Sequence, residues 1–170
     1  GLDAARVLVL LDEAIAARIV DLAASDPGRG VFAHALIFET LVQALGVSTR
    51  PVLHRQIAEA LAGDPRPDEH AAEIAHHWFS AGPTGDPEQA VAWACRAAER
   101  ALGLLAYEEA VRLYRLALAA LEWTPAHDET REAELWLALG EACKRAGDQA
   151  EAQAIFTRAA ELARRRGSAE

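Results

Sequence analysis

Small and large apolar residues alternate near the end of the chain in a pattern that few folds accommodate. Small residues stand where two helices would touch, and large ones stand where the space between them must be filled. The packing positions are Trp136, Leu139, Gly140, Gly147, Ala152, Phe156 and Ala159. Small side chains allow two antiparallel helices to approach closely. Because one such pair leaves an apolar face open, the pattern predicts a stack of helix pairs.

The segment before this pair has the same arrangement in a more alanine-rich form. Ala110, Tyr114 and Ala117 occupy the positions that Ala152, Phe156 and Ala159 occupy later. Counting back places four alanines on the packing face of the preceding helix. These are Ala94, Ala97, Ala98 and Ala101.

The spacing Trp136-x2-Leu139-Gly140-x2-Cys143, followed by Gly147 and Ala152-x3-Phe156-x2-Ala159, resembles a tetratricopeptide repeat. The resemblance implies a superhelix of antiparallel helix pairs. Tyr114 and Phe156 are equivalent positions but lie 42 residues apart (156 − 114), whereas the repeat length is about 34 residues. The resemblance therefore implies an insertion around residues 122–130.

Helical spacing and capping signals predict eight helices. They cover residues 2–17, 36–45, 50–62, 68–81, 87–102, 107–123, 128–146 and 148–166. Gly46 is predicted to end the second helix in the left-handed conformation. Ser48 or Thr49 is predicted to cap the third helix, and Asp86 and Asp148 are predicted to cap later ones.

Two apolar runs at residues 18–24 and 31–37 flank a Pro-Gly segment at residues 25–30. This pattern predicts a β-hairpin, and these two runs are the only strand candidates in the sequence. Two prolines and a glycine at residues 63–67 cannot continue a helix. The predicted boundary lies there, between domains at residues 1–62 and 63–170.

Three motifs extend the resemblance to nearly the whole chain. They are Phe32-x-His34-x-Leu36-x-x-Glu39, Leu53-His54-Arg55-x-Ile57-Ala58-x-Ala60-Leu61, and Ile74-Ala75-His76-His77-Trp78. They look like the region that follows the ATPase module in bacterial STAND regulators of the LuxR type. The resemblance implies that residues 1–46 are the back part of a winged helix, and that helical repeats follow.

Composition narrows the class of protein. The formal net charge is −9, and both predicted domains are acidic, so neither offers a field that attracts nucleic acid. Cys95 and Cys143 are isolated, which favours a reducing compartment. No apolar stretch is long enough to span a membrane, and no signal peptide is evident. A cytoplasmic protein is predicted. The absence of Met suggests that the chain is part of something larger.

Candidate chemical sites are few. Gly28-Arg29-Gly30 lacks the lysine and hydroxyl of a phosphate-binding loop. His70, Glu73 and His77 share one helix face, which is conceivable as a metal site, but a helix surface is the favoured interpretation. His34 is interpreted as a hydrogen-bonding residue of the hairpin. The run of arginines at residues 164–166 is interpreted as complementing a helix dipole rather than binding nucleic acid.

The sequence therefore predicts no catalytic residue, no cofactor and no metal, and it predicts a binding face instead. The first helices of two repeat pairs would line a concave surface. The inward positions are Ala92, Cys95, Glu99, Glu134, Leu137, Glu141 and Lys144. A mixed acidic and apolar groove suits a protein or peptide segment, or neighbouring domains of the same polypeptide. A plain solvated surface is the alternative.

The predicted function is a non-catalytic interaction and signal-relay module of a multidomain transcriptional regulator. The alternative is a helical linker of an ATPase-linked signalling enzyme, such as an adenylate cyclase or a kinase.

Overall fold

The computed structural model describes residues 3–23, 26–125 and 128–167. This part of the chain is mainly helical and contains one two-stranded sheet, which confirms the predicted fold class. The helices are α1 (Ala4–Ala16), α2 (Ala35–Ala44), α3 (Thr49–Ala62), α4 (Ala71–Ser80), α5 (Pro87–Gly103), α6 (Tyr107–Leu121), α7 (Glu129–Ala146) and α8 (Gln149–Gly167). The strands are β1 (Val20–Ala23) and β2 (Asp26–Phe32), and short 3-10 turns occupy Pro67–His70 and Gly82–Thr84.

The predicted hairpin exists, but its second strand begins earlier than the sequence indicates. Val20 pairs with Phe32 and Leu22 with Gly30, so residues 26–30 belong to β2 rather than to a turn. Both strands of a two-stranded sheet are edge strands, and an edge strand tolerates a proline because its N–H side can face outwards. The predicted second strand also ends too late, because α2 already begins at Ala35.

The first compact unit, Gly1–Val47, contains α1, the hairpin and α2. Among its described side chains, that of Val20 is buried. Many large apolar side chains of this unit are exposed. They are Val7, Leu8, Val9, Leu10, Leu22, Val31, Phe32, Leu36, Phe38, Leu41 and Val47. The unit therefore gains little hydrophobic stabilisation from its own packing.

The second unit, Ser48–Glu170, begins before the loop at residues 63–66 that the sequence suggested as the boundary. The difference arises because α3 packs against α4 across that loop. Two local predictions around this boundary differ from the structure. Ser48 occupies the N-cap position of α3 but makes no side-chain capping bond. Gly46, at the end of the first unit, does not have a positive φ, since the chain already leaves α2 through extended backbone at Leu45.

Most other helix ends follow local signals. The carboxylate of Asp86 accepts from the N–H of Gln89 at 3.1 Å, and that of Asp148 accepts from the N–H of Glu151 at 3.0 Å. Asp128 likewise accepts from the N–H of Arg131 at 3.1 Å. Gly147 ends α7 with φ of 91°, the left-handed conformation that glycine adopts without strain. The predicted caps at Asp86 and Asp148 are confirmed.

One continuous core runs through the second unit from Ala58 on α3 to Ile155 on α8. Each helix from α3 to α7 packs on the next along the chain. Much of this core is alanine, which lets helix axes approach closely. Short connections, such as residues 104–106 between α5 and α6, make neighbouring helices antiparallel.

Candidate protein-interaction face

Most of the residues predicted to pack the repeats are buried or half-buried, whereas Gly147 is exposed at the end of α7. Ala110, Tyr114, Ala117, Leu139, Ala152 and Ala159 are all buried. A Cβ atom added to Gly140 would lie 2.6 Å from the ring of Phe156, so the glycine allows α8 to approach α7. Trp136 is half-buried, and its indole N–H donates to Glu132 at 3.1 Å.

Two ion pairs show how the helices of successive pairs are arranged. Glu88, in the first turn of α5, pairs with Arg131, in the first turn of α7. Arg115 on α6 pairs with Glu151 on α8 at 2.5 Å. An ion pair therefore joins the first helices of the two pairs to each other, and another joins the second helices. This two-layer order is the one that stacked helix pairs adopt.

The seven predicted binding positions lie on α5 and α7, and we call them the α5/α7 face. None of them belongs to the buried core. Ala92, Glu99, Glu134 and Lys144 are exposed, while Cys95 and Glu141 are half-buried. Leu137 is 51% exposed although it is a large apolar residue. The face thus presents an apolar side chain among charged ones.

The pKa of Cys95 depends on charged groups from both helices of this face. Burial raises the pKa of the Cys95 thiol, and Glu99 raises it further, while Arg131 on α7 opposes both. The thiol is therefore protonated at neutral pH. A protonated thiol is a weak nucleophile, so Cys95 offers a small apolar surface rather than reactivity.

Tyr114 is a buried residue of α6 whose pKa depends on some of the same groups. Burial raises the pKa of its phenol, and Glu99 and Cys95 raise it further, whereas Arg145 lowers it. The phenol therefore lies near groups from both α5 and α7. This buried tyrosine belongs to the packing of α6 against both α5 and α7.

Part of the charge on α7 is neutralised within the helix. Glu141 accepts from Arg145 at 3.0 Å and from Lys144 at 3.3 Å. These bonds hold the pKa of Glu141 below its ordinary value. Glu141 and Lys144 thus belong to a hydrogen-bond network within α7.

Open depressions occur elsewhere, on α8. One of about 520 Å³ follows its outer side along Gln149, Gln153, Phe156 and Arg164. Another, of about 530 Å³, lies between α7 and α8 and has Glu132 and Arg158 in its lining. Arg158 already stacks on Trp136 at 4.1 Å. In the second depression, Glu132 and Arg158 are thus both engaged with Trp136.

The other sequence candidates are not brought together. His70 lies 3.7 Å from Glu73, but His77 faces His54 on α3, with Nδ1 atoms 2.8 Å apart. His34 precedes α2 and makes no side-chain cap bond. In the described ranges, no group of three candidate metal ligands converges. Searched over the same ranges, no helix is both long and apolar enough to cross a membrane.

Sequence reasoning missed two features of the helical unit. The first is the Glu88–Arg131 pair. Both residues lie near the start of a helix that is predicted to be the first of its pair, and stacking of the pairs would bring these two starts together. The second is the His54–His77 contact. These histidines are equally distant from the Pro65–Arg66 bond, so a symmetric helical hairpin brings them face to face.

Comparison of the chain with protein-family models, with curated proteins and with solved structures finds no match.

Proposed function

We propose that the second unit is a protein-interaction module whose α5/α7 face binds an extended segment of a partner. One observation carries this proposal: an ion pair between Glu88 and Arg131 joins α5 to α7, and α7 exposes Leu137 among charged residues. A stack of helix pairs with such a face has the surface that repeat proteins use for recognition.

The chemistry of the face favours a peptide over a small molecule. Leu137 offers an apolar contact that is half solvent-exposed. Glu134, one turn earlier on α7, and Glu99 on α5 are exposed carboxylates. An extended segment can bury one side chain on Leu137 while its polar groups meet the flanking charges. A small ligand would instead require a concave pocket that encloses most of its surface.

The parent protein in this proposal is a cytoplasmic, STAND-type transcriptional regulator, in which the helical unit relays an input to other domains. The support is the resemblance of the His54, His76–His77 and Trp136–Phe156 motifs, together with the helix-pair order. In this role the partner segment is a protein, or a neighbouring domain of the same polypeptide. The first unit would be the back part of its winged helix.

The experiment is a selection of displayed random peptides on the 170-residue chain, followed by affinity measurement on variants. Leu137→Glu should weaken the selected peptides at least about tenfold, because a charge placed at the central apolar contact is expected to cost about 1.4 kcal/mol or more, which corresponds to that factor. Leu104→Glu is the matched control, since Leu104 is also exposed but lies beyond α5. Equal affinities for the two variants would refute the assignment of the face.

A further inference from the structure

Three histidines lie together where α3 packs against α4. The Nδ1 atoms of His54 on α3 and His77 on α4 are 2.8 Å apart. Their ring centroids are 5.1 Å apart. The ring of His76 stands edge-on, 6.1 Å from that of His54 and 5.5 Å from that of His77. The α5/α7 face makes no use of this cluster, which joins the first two helices of the second unit.

A hydrogen bond between two imidazoles constrains their protons. One ring must donate an N–H, and the other must accept with an unprotonated nitrogen. If both rings are fully protonated, two N–H groups and two positive charges face each other across 2.8 Å. The contact seen here therefore requires that His54 and His77 are not both charged.

The surroundings oppose that charge. Burial lowers the pKa of His54 below its ordinary value of 6.5, and His76 lowers it further. Burial also lowers the pKa of His77, with His54 and His76 acting in the same direction. Glu73, one turn earlier on α4, raises the pKa of His77 but does not outweigh them.

Ion pairs engage several charged groups on α3, on the 3-10 turn before α4 and on α5. On α3, Arg55 pairs with Glu59 at 3.6 Å. From the 3-10 turn, His70 lies 3.7 Å from Glu73. From α5, Arg96 pairs with Asp68. Near its own end, α4 contacts the segment that follows α6, where the ring centroid of Phe79 lies 4.7 Å from that of Trp123.

We propose that His54 and His77, with His76 beside them, form a proton-sensitive clasp that holds α3 on α4 at neutral pH and releases it on acidification. In the unfolded chain each histidine takes up its proton near pH 6.5, whereas in the folded chain the pair does so at lower pH. Between these values the unfolded state binds more protons, so stability is complete above about pH 6.5 and declines as the pH falls below it.

Metal binding is a different use of the same atoms. A structural zinc site needs about four ligands whose lone pairs converge on one point. Here the two Nδ1 atoms are within hydrogen-bonding distance of each other, and the described residues include no group of three ligands suited to a metal. The geometry thus favours a proton over a cation.

The test compares melting midpoints at about pH 7.5 and pH 5.5, a range in which histidine is the side chain that ordinarily titrates. The wild-type midpoint should fall by about 4 °C or more at the lower pH. His54→Gln should lose most of this decrease, because glutamine cannot take up a proton. His34→Gln, in the first unit, is the control and should keep the wild-type decrease. A wild-type midpoint that does not change, or an undiminished decrease in His54→Gln, would overturn the proposal.

A histidine titration by NMR on the wild-type chain decides the question even if the variant fails to fold. His54 and His77 should titrate below pH 6.5, and amide signals of α3 should change over the same range while those of α8 do not. Titration of both rings at or above 6.5 would contradict the clasp. A zinc-dependent rise in the midpoint that His54→Gln abolishes would assign the cluster to a metal instead.

Discussion

Leu105 is held in a backbone conformation that leucine rarely adopts. Its φ is 61°, in the left-handed region where the Cβ atom crowds the following carbonyl at a cost of about 1–2 kcal/mol. Hydrogen bonds to carbonyls near the end of α5 fix it there, including that from the N–H of Ala106 to the oxygen of Ala101 at 2.9 Å. The side chain is 69% exposed, so it offers little packing in return.

Leu105→Gly should therefore stabilise the protein by about 0.5–1 kcal/mol, since glycine adopts positive φ without strain. Leu104 is the natural control, because it is equally exposed but has a φ of −93°. Leu104→Gly should destabilise by about 0.5–1 kcal/mol through the greater flexibility of the unfolded chain. Urea unfolding of both variants gives the comparison, and the same sign for both would refute the strain at Leu105.

At the scale of elements, helix bounds could be predicted because their signals are local. Asp86 with Pro87, and Gly147 with Asp148, mark ends that depend on the chain's own backbone. The start of β2 and the left-handed cap at Gly46 differ from the prediction, because strand register and the path beyond Leu45 depend on neighbouring elements. The His54–His77 contact required knowing that α3 and α4 form one antiparallel pair.

The seam between α7 and α8 gives a sharp prediction. Alanine normally favours a helix over glycine by about 1 kcal/mol, but at position 140 its Cβ would lie 2.6 Å from the ring of Phe156. Overfilling a close contact costs about 1–3 kcal/mol. Gly140→Ala should therefore destabilise the protein. Gly103→Ala is the control, because an added Cβ meets nothing within 4 Å there, and it should be neutral or stabilising. Thermal melts of the two variants distinguish the cases, and a higher midpoint for Gly140→Ala would contradict the close seam.

The two units of the chain differ in how well they bury their apolar side chains. The second unit has a continuous, alanine-rich core, whereas the first leaves most of its large apolar side chains exposed. The motifs of the second unit could be read from the sequence because helix-pair packing requires small residues at fixed positions. The boundary after Val47 could not be predicted from the sequence, since it depends on which other helix of the chain α3 packs against.

The winged-helix resemblance of the first unit raises the question of DNA binding. On α1, Arg6 is exposed, but Asp3, Asp12 and Glu13 are acidic, and Asp3 is used as the helix cap. A reading helix needs side chains that reach base edges and cations for phosphates. We therefore expect no saturable binding of labelled duplex DNA at about 50 mM salt, where phosphate attraction is strong. Micromolar binding that weakens steeply with salt would contradict this.

The central claim is that the α5/α7 face recognises a protein segment. It is tested most directly by mapping the amide chemical shifts of the 170-residue chain as a selected peptide is added. The account predicts that the largest changes lie on α5 and α7, around Cys95 and Leu137, and that they disappear in Leu137→Glu. Changes confined to the outer side of α8 or to the exposed apolar residues of the first unit would contradict it.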